Sequence, residues 1–327
     1  RSGGLYNNSR SYSDNVAIGA YSGHHNNGGL NVLVGRDAGQ GSAGSSTFAN
    51  TVAVGYQALK VLTTGTANTA LGHEAGLALT TGGSNLMIGY QAGISITTSN
   101  SNTHLGAYAG KSSSGAFHNT FVGTSAGQYN NGDNNTVVGV LGMANGNGDS
   151  NVGVGRLTGG GDGSDNTIIG DEAARYLFGG STTLSNNTIV GSQAGKGVFN
   201  TTHYINTVAV GYQALTALTT GVQNTAIGYQ AGDSLTTTSY NTFLGYQAGQ
   251  GNTTPTGIVA IGSSTGKGAS PYSVFVGHMA GTSVTGQDNS VMGFQAMSGT
   301  GAKTANVAIG RLALAGTGSS DNNIAIG

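Results

Sequence analysis

The chain predicts an all-β, repetitive β-solenoid, and three observations carry that expectation. A motif of the form Asn-(Thr/Val)-x-aliphatic-Gly recurs 19 times. Within each copy, β-branched residues fall at alternate positions, which is the period of a strand. Glycine accounts for 61 of 327 residues and charged residues for only 7%. That glycine density and so short a period exclude helices.

The anchoring glycines run Gly19, Gly35, Gly55, Gly72, Gly89 and onward to Gly310 and Gly327, 15 to 21 residues apart and most often 17. A fixed period of this size marks stacked supersecondary units, here 19 coils of about 17 residues. The organisation predicted is a lead-in segment, 1–14, and one continuous array, 15–327. A larger duplication lies inside it, since 51–93 aligns without gaps to 207–249. Arg1 is not a methionine and Gly327 falls inside a repeat, so both ends read as cuts in a longer chain.

Each column of the repeat carries a physical requirement. The residue before the glycine is aliphatic in all 19 copies, and the residue two earlier is Val, Thr or Ile in all but two. The expectation is that these flanking positions face the coil interior, with Ile18, Val34, Val54, Leu71, Ile88, Val122, Ile169, Val210, Ile227 and Ile309 as structural core. The position between them would then point outward, yet it too is apolar: Leu33, Met87, Phe121, Val137, Ile168, Ile189, Phe243, Phe275 and Val291. Only His104 and Gly153 interrupt that row. A strand apolar on both faces is buried on both faces, so this row is the expected contact between copies of the chain, with a trimer preferred. Stacking at about 4.8 Å per strand would make a rod of roughly 90 Å.

After the glycine, the third residue is alanine in 14 of 18 complete copies, marking a close backbone approach. The fourth is glycine in 12 and otherwise Leu, Met or Ala, which suits a positive-φ corner. Asparagine opens the motif in 15 of 19 copies. Two readings stand side by side: amide ladders running from coil to coil, or turn residues acting one at a time. Aromatic residues just after the glycine, Tyr56, Tyr90, Tyr212, Tyr229 and Tyr246, share their column with arginine, aspartate and histidine. That variability means an exposed row, either ordinary strand surface or a place for glycan stacking or protein contact.

Composition excludes several functions. With 11 basic and 12 acidic residues the net charge is −1, so no field recruits nucleic acid or anionic lipid. The absence of cysteine removes disulfides, thiolate nucleophiles and cysteine-held zinc. No apolar run reaches membrane-spanning length, and no signal peptide is present. The seven histidines form no His-x-His pair, and the loops around Asp133, Asp149, Asp162 and Asp165 lack a calcium-solenoid rhythm, so no metal and no cofactor is expected. No paired carboxylates and no serine–histidine–aspartate set stand out, so no catalytic residue is nominated. Acceptor-like Asn-x-Ser/Thr triplets begin at Asn7, Asn134, Asn186, Asn200 and Asn252.

The units NTVAVGYQAL, NTAIGYQAG and NVAIGRLAL resemble the head repeats of YadA-like trimeric autotransporter adhesins and the repeats of bacteriophage tail fibres. The resemblance covers 15–327. It implies a left-handed parallel β-roll, three chains to a rod, located outside the cell on a bacterial surface or a virion tail. It also implies self-association and a host-surface glycan or protein as partner. The repeat here is longer than the compact adhesin repeat, so each coil carries an extra loop. Two other functions compete with a structural or adhesive shaft. An ice-binding solenoid is suggested by threonine runs such as LTTG at 62–65, 79–82 and 218–221. A polysaccharide-cleaving tail spike is the third.

Overall fold

The computed structural model describes residues 14–44, 46–159, 162–175, 184–198, 203–268 and 271–327. Of the lead-in 1–14, all but Asp14 lies outside the described residues. The chain divides into two compact units, Arg1–Gly160 and Gly161–Gly327. Each is a parallel β-solenoid, and no helix occurs among the described residues.

Every motif copy becomes a three-residue strand. Nine of them, Val16–Ile18 to Val152–Val154, pair in parallel through the first unit. Ten, Thr167–Ile169 to Ile324–Ile326, do so through the second. These 19 strands bound about 17 complete coils. Register is exact to the residue: Thr103, His104 and Leu105 lie opposite Thr120, Phe121 and Val122. Sequence columns are therefore rows in space. Some neighbouring coils also pair through small second sheets, such as Tyr129–Asn130 with Asn145–Gly146 and Leu184–Ser185 with Tyr204–Ile205.

The glycine anchor is a requirement of stacking. Gly89 has φ +136, and a methyl group on it would sit 2.5 Å from the carbonyl oxygen of Gly106 in the next coil. No side chain fits between backbones that close. The corner four residues on takes positive φ whether or not it is glycine: Gly76 at +61, Leu59 and Leu215 at +50. The expected corner is thus present, and in six coils a residue with a side chain takes it, five of them (Leu59, Met143, Ala174, Leu215 and Met297) buried in the interior.

The inside and outside of the strand are the reverse of the sequence expectation. The middle position is buried: Leu33, Met87, Phe121, Val137, Ile168, Ile189, Phe243, Phe275 and Val291 are all at most 2% exposed. These residues line the interior of their own chain and cannot meet a partner. The flanking positions face out. Ile18, Leu71, Ile169, Ile227 and Ile309 are exposed, and Val34, Val54, Ile88, Val122 and Val210 are half-exposed. The physical reason is volume sharing across the coil. Where the middle residue is small, the corner is large: Ala53 with Leu59, Ala209 with Leu215, Ala308 with Leu314. Where the middle residue is phenylalanine the corner is glycine, and Phe121 lies against Gly127 and Phe243 against Gly249, whereas Val137 with Met143 and Val291 with Met297 fill the coil from both positions. Coils with alanine and glycine at both positions take up side chains from their neighbours, as Gly76 packs against Leu59 and Met87. Two positions that trade volume share one cavity.

A second interior row is polar and fully paired. Asn68, Asn85, Asn102 and Asn119 are buried, and each backbone N–H after the first donates to the preceding Oδ1 at 2.9–3.0 Å. The side-chain nitrogens donate to carbonyls one coil on, Asn102 to Ala116 at 2.9 Å and Asn119 to Gly132 at 2.9 Å. The ladder reading holds. A buried amide that satisfies itself through its neighbours stabilises the stack, whereas a single unmatched rung would cost the desolvation of its orphaned partners.

Candidate functional site

The surface that the fold leaves open is the outer face of the three-residue strands and the column beside it. On that face two rows run along each unit. One is aliphatic in every coil, with Leu105 41%, Leu244 43% and Met292 55% exposed. The other is mostly Val or Thr, as in the consecutive Thr103, Thr120 and Thr136. Among the described residues these side chains are left half-exposed or exposed.

The aromatic column flanks those rows, across the glycine. Tyr56, Tyr90, Tyr212, Tyr229 and Tyr246 are all exposed, as the sequence predicts. Their arrangement was not legible in advance. Tyr212, Tyr229 and Tyr246 form a ladder, with centroids 5.4 and 5.3 Å apart and planes within 20° and 10°. In the first unit, Tyr56 lies tilted by 31° on His73 at 5.1 Å, and His73 stacks on Tyr90 at 5.2 Å and 20°. Offset stacking of this kind turns each inner ring face toward its neighbours. A sugar lying along the row meets ring edges and hydroxyls at Tyr229, not an open face, so the geometry does not favour glycan stacking on the inner rungs.

Beside the tyrosines runs a hydrogen-bonded ladder that the sequence reading missed. Gln193 donates to Glu172 at 3.3 Å, Gln213 to Gln193 at 2.9 Å, Gln230 to Gln213 at 2.9 Å and Gln247 to Gln230 at 3.1 Å. Lys267 then donates to Gln247 at 2.9 Å. All the amides point one way, with a carboxylate accepting at one end and an ammonium donating at the other. The Lys196 ammonium, 3.1 Å away, together with Arg175 and Gln193, holds the Glu172 pKa below the usual carboxylate range against the opposing effect of burial. The signal was present in the sequence as glutamine two residues after the anchor glycine, preceded by an acid.

Most other polar groups are committed to the stack. Asp133 Oδ1 accepts the Phe117 N–H and Asp149 Oδ1 the Asp133 N–H, both at 2.7 Å. The first threonine hydroxyl of the LTTG runs donates to the next coil, Thr63 to Thr80 and Thr219 to Thr236, both at 2.9 Å. Among the triplets, Asn134 and Asn186 are exposed, Asn252 is buried and donates to Gly266, and Asn7 and Asn200 lie outside the described residues. Among the described residues no three His, Cys, Asp or Glu side chains are placed to hold a metal ion. No helix among them is long and apolar enough to cross a membrane.

Three interior groups break the apolar pattern. Tyr204 fills its coil and donates to Gly195 at 2.6 Å, and burial pushes its pKa up. The Lys303 ammonium donates to the carbonyls of Leu314 and Gly316 at 3.1 and 2.9 Å, and burial lowers its pKa. His104 is fully buried, stacked on Phe121 at 5.3 Å and 5°, and neither ring nitrogen has a hydrogen-bond partner. Burial lowers its pKa to about 4.

No known protein family matches the chain, and no curated protein matches it in sequence.

Proposed function

We propose that this chain is a segment of a self-assembling extracellular fibre, a structural or adhesive shaft in which copies of the chain pack through the outer strand face. The single observation that carries the reading is the aliphatic row before the anchor glycine, unbroken in all 19 copies and half-exposed or exposed throughout. A row of that length exceeds the apolar patch a soluble monomer normally presents. Because the repeats are in register, another copy offers a face of the same period, and three such faces around a common axis bury every row. Resemblance to trimeric adhesin heads and phage tail-fibre repeats supports a trimer and a bacterial-surface or virion setting. The role proposed is structural, and no catalytic residue is nominated.

Double substitution Leu105→Lys and Leu244→Lys tests this reading by sedimentation velocity. Both side chains are exposed, so the coils are expected to keep their far-UV signal while the assembly separates into single chains. Unchanged assembly, or a wild type that never assembles, would sink the proposal. A second reading draws on the same face. Outward threonines lie opposite one another, as Thr225 and Thr242 do, beside an aliphatic row, and a regular outward threonine array is what an ice-binding solenoid presents. Thermal hysteresis in a monomeric preparation would favour it over the fibre.

A further inference from the structure

The aromatic column of the second unit has a missing rung. Reading along it, Tyr212, Tyr229 and Tyr246 stack, Ser263 follows, and His278 with Phe294 resumes the column at a centroid distance of 5.4 Å. Tyr246 is 53% exposed against 42% for Tyr229 and 43% for Tyr212, so the open end of the ladder is the one facing Ser263. The far wall is fixed. His278 Nδ1 lies 3.2 Å from the Ser263 carbonyl, an acceptor only, which makes Nδ1 the donor and leaves Nε2 free to accept. Neighbouring rings in the column stand 5.3–5.4 Å apart, and the one coil without a ring, that of Ser263, leaves the Tyr246 face toward it without a ring partner.

The first unit shows what fits there. Carrying the offset of the duplication forward places Tyr90 at Tyr246, Ala107 at Ser263 and Tyr108 at Ser264. Tyr108 bends over the small residue beside it and sets its ring edge-on against Tyr90, at 5.3 Å and 78°. The two phenols interact closely enough that Tyr108, ahead of burial, raises the pKa of Tyr90. In the second unit a serine stands where Tyr108 stands in the first, and the Tyr246 face is left uncovered.

We propose that the vacant rung over Ser263 and Ser264, between Tyr246 and His278, is a binding site for one phenol ring. The ring would lie against Tyr246 as Tyr108 lies against Tyr90, with its hydroxyl toward the Tyr246 hydroxyl or His278 Nε2. Ring pairing contributes modestly per contact, so the site is weak alone and gains from repetition along an assembled fibre.

The test uses p-cresol as probe, read by saturation-transfer NMR and titrated to a stoichiometry on the full chain. Wild type is expected to hold one ring per chain. Ser264→Tyr should abolish binding by supplying the ring internally, and it should fold, because Tyr108 already occupies the equivalent position at φ +59 against +54 for Ser264. Absence of saturable binding to wild type, or undiminished binding to Ser264→Tyr, would overturn the proposal. In a parallel arm with the peptide Gly-Tyr-Gly, tighter binding than p-cresol points to a protein tyrosine as the natural occupant, and equal binding to a free phenol.

Discussion

Lowering the pH loads the first unit at one residue. His104 sits in the interior column between Met87 and Phe121, with its ring against Gly110 and close to Gly93 and Ile96. None of these neighbours titrates, and neither ring nitrogen is paired, so a proton on the ring has nothing to offset its desolvation. The folded pKa falls from 6.5 to about 4. A base whose pKa is lower folded than unfolded keeps its full stability contribution above pH 6.5, where both states are neutral. It loses that contribution as the pH falls toward 4, because only the unfolded state takes up the proton. At 1.36 kcal/mol per unit, the loss is about 2 kcal/mol by pH 5 and about 3 kcal/mol by pH 4. The assay is urea unfolding of wild type and His104→Met at pH 8, 6, 5 and 4, with hydrogen exchange at the amides of 103–122 as the local readout. Methionine fills the same column at Met87, so the variant should fold. It should also be more stable at pH 8, because two unpaired nitrogens are gone. The stability gap between the two proteins should widen by about 3 kcal/mol between pH 8 and 4. A gap that stays constant with pH would refute the reasoning, since it would mean that His104 is solvated or paired.

Other perturbations follow from the stack. Gly89→Ala places a methyl group 2.5 Å from the Gly106 carbonyl oxygen at φ +136; it should unfold the surrounding coils, visible as lost exchange protection there. Phe243→Ala empties the largest side chain of its coil beside Gly249, at a cost of about 3–5 kcal/mol in urea unfolding. Asn102→Leu orphans the Asn119 N–H and the Ala116 carbonyl, each buried group costing about 1–3 kcal/mol. The equivalent change at exposed Asn100 should cost far less, which the same unfolding experiment checks.

The repeat made the solenoid legible. Nineteen anchors with β-branched residues at period 2 fix strand, stacking and register, and the glycine column matches the close approach of Gly89 to Gly106. The face of the strand was not legible from alternation alone, because all three positions are apolar and a three-residue strand has no longer pattern to break the tie. The deciding signal was pairwise: Ala53 with Leu59 and Ala209 with Leu215, against Phe121 with Gly127 and Phe243 with Gly249. Columns read one at a time conceal that trade. The flanking residues being β-branched fits a half-exposed strand surface as well as a core. Tyr204 escaped notice because it lies in a coil of unusual length, 20 residues from Gly191 to Gly211, so that no column assigns it an inside or an outside. The aromatic row was readable as exposed, but its ring faces depend on side-chain packing that spacing does not encode. Exchanging the two faces does not remove the need for a partner. It moves that need from Phe121, Phe243 and Phe275 to the row of Leu71, Ile227 and Ile309.

The most direct measurement is the mass of the particle in solution, by light scattering behind a sizing column. A mass of three chains is the expected result and would place the outer aliphatic row at the shared interface. A stable, soluble single chain would contradict the account, because an apolar row exposed in every coil would then face water.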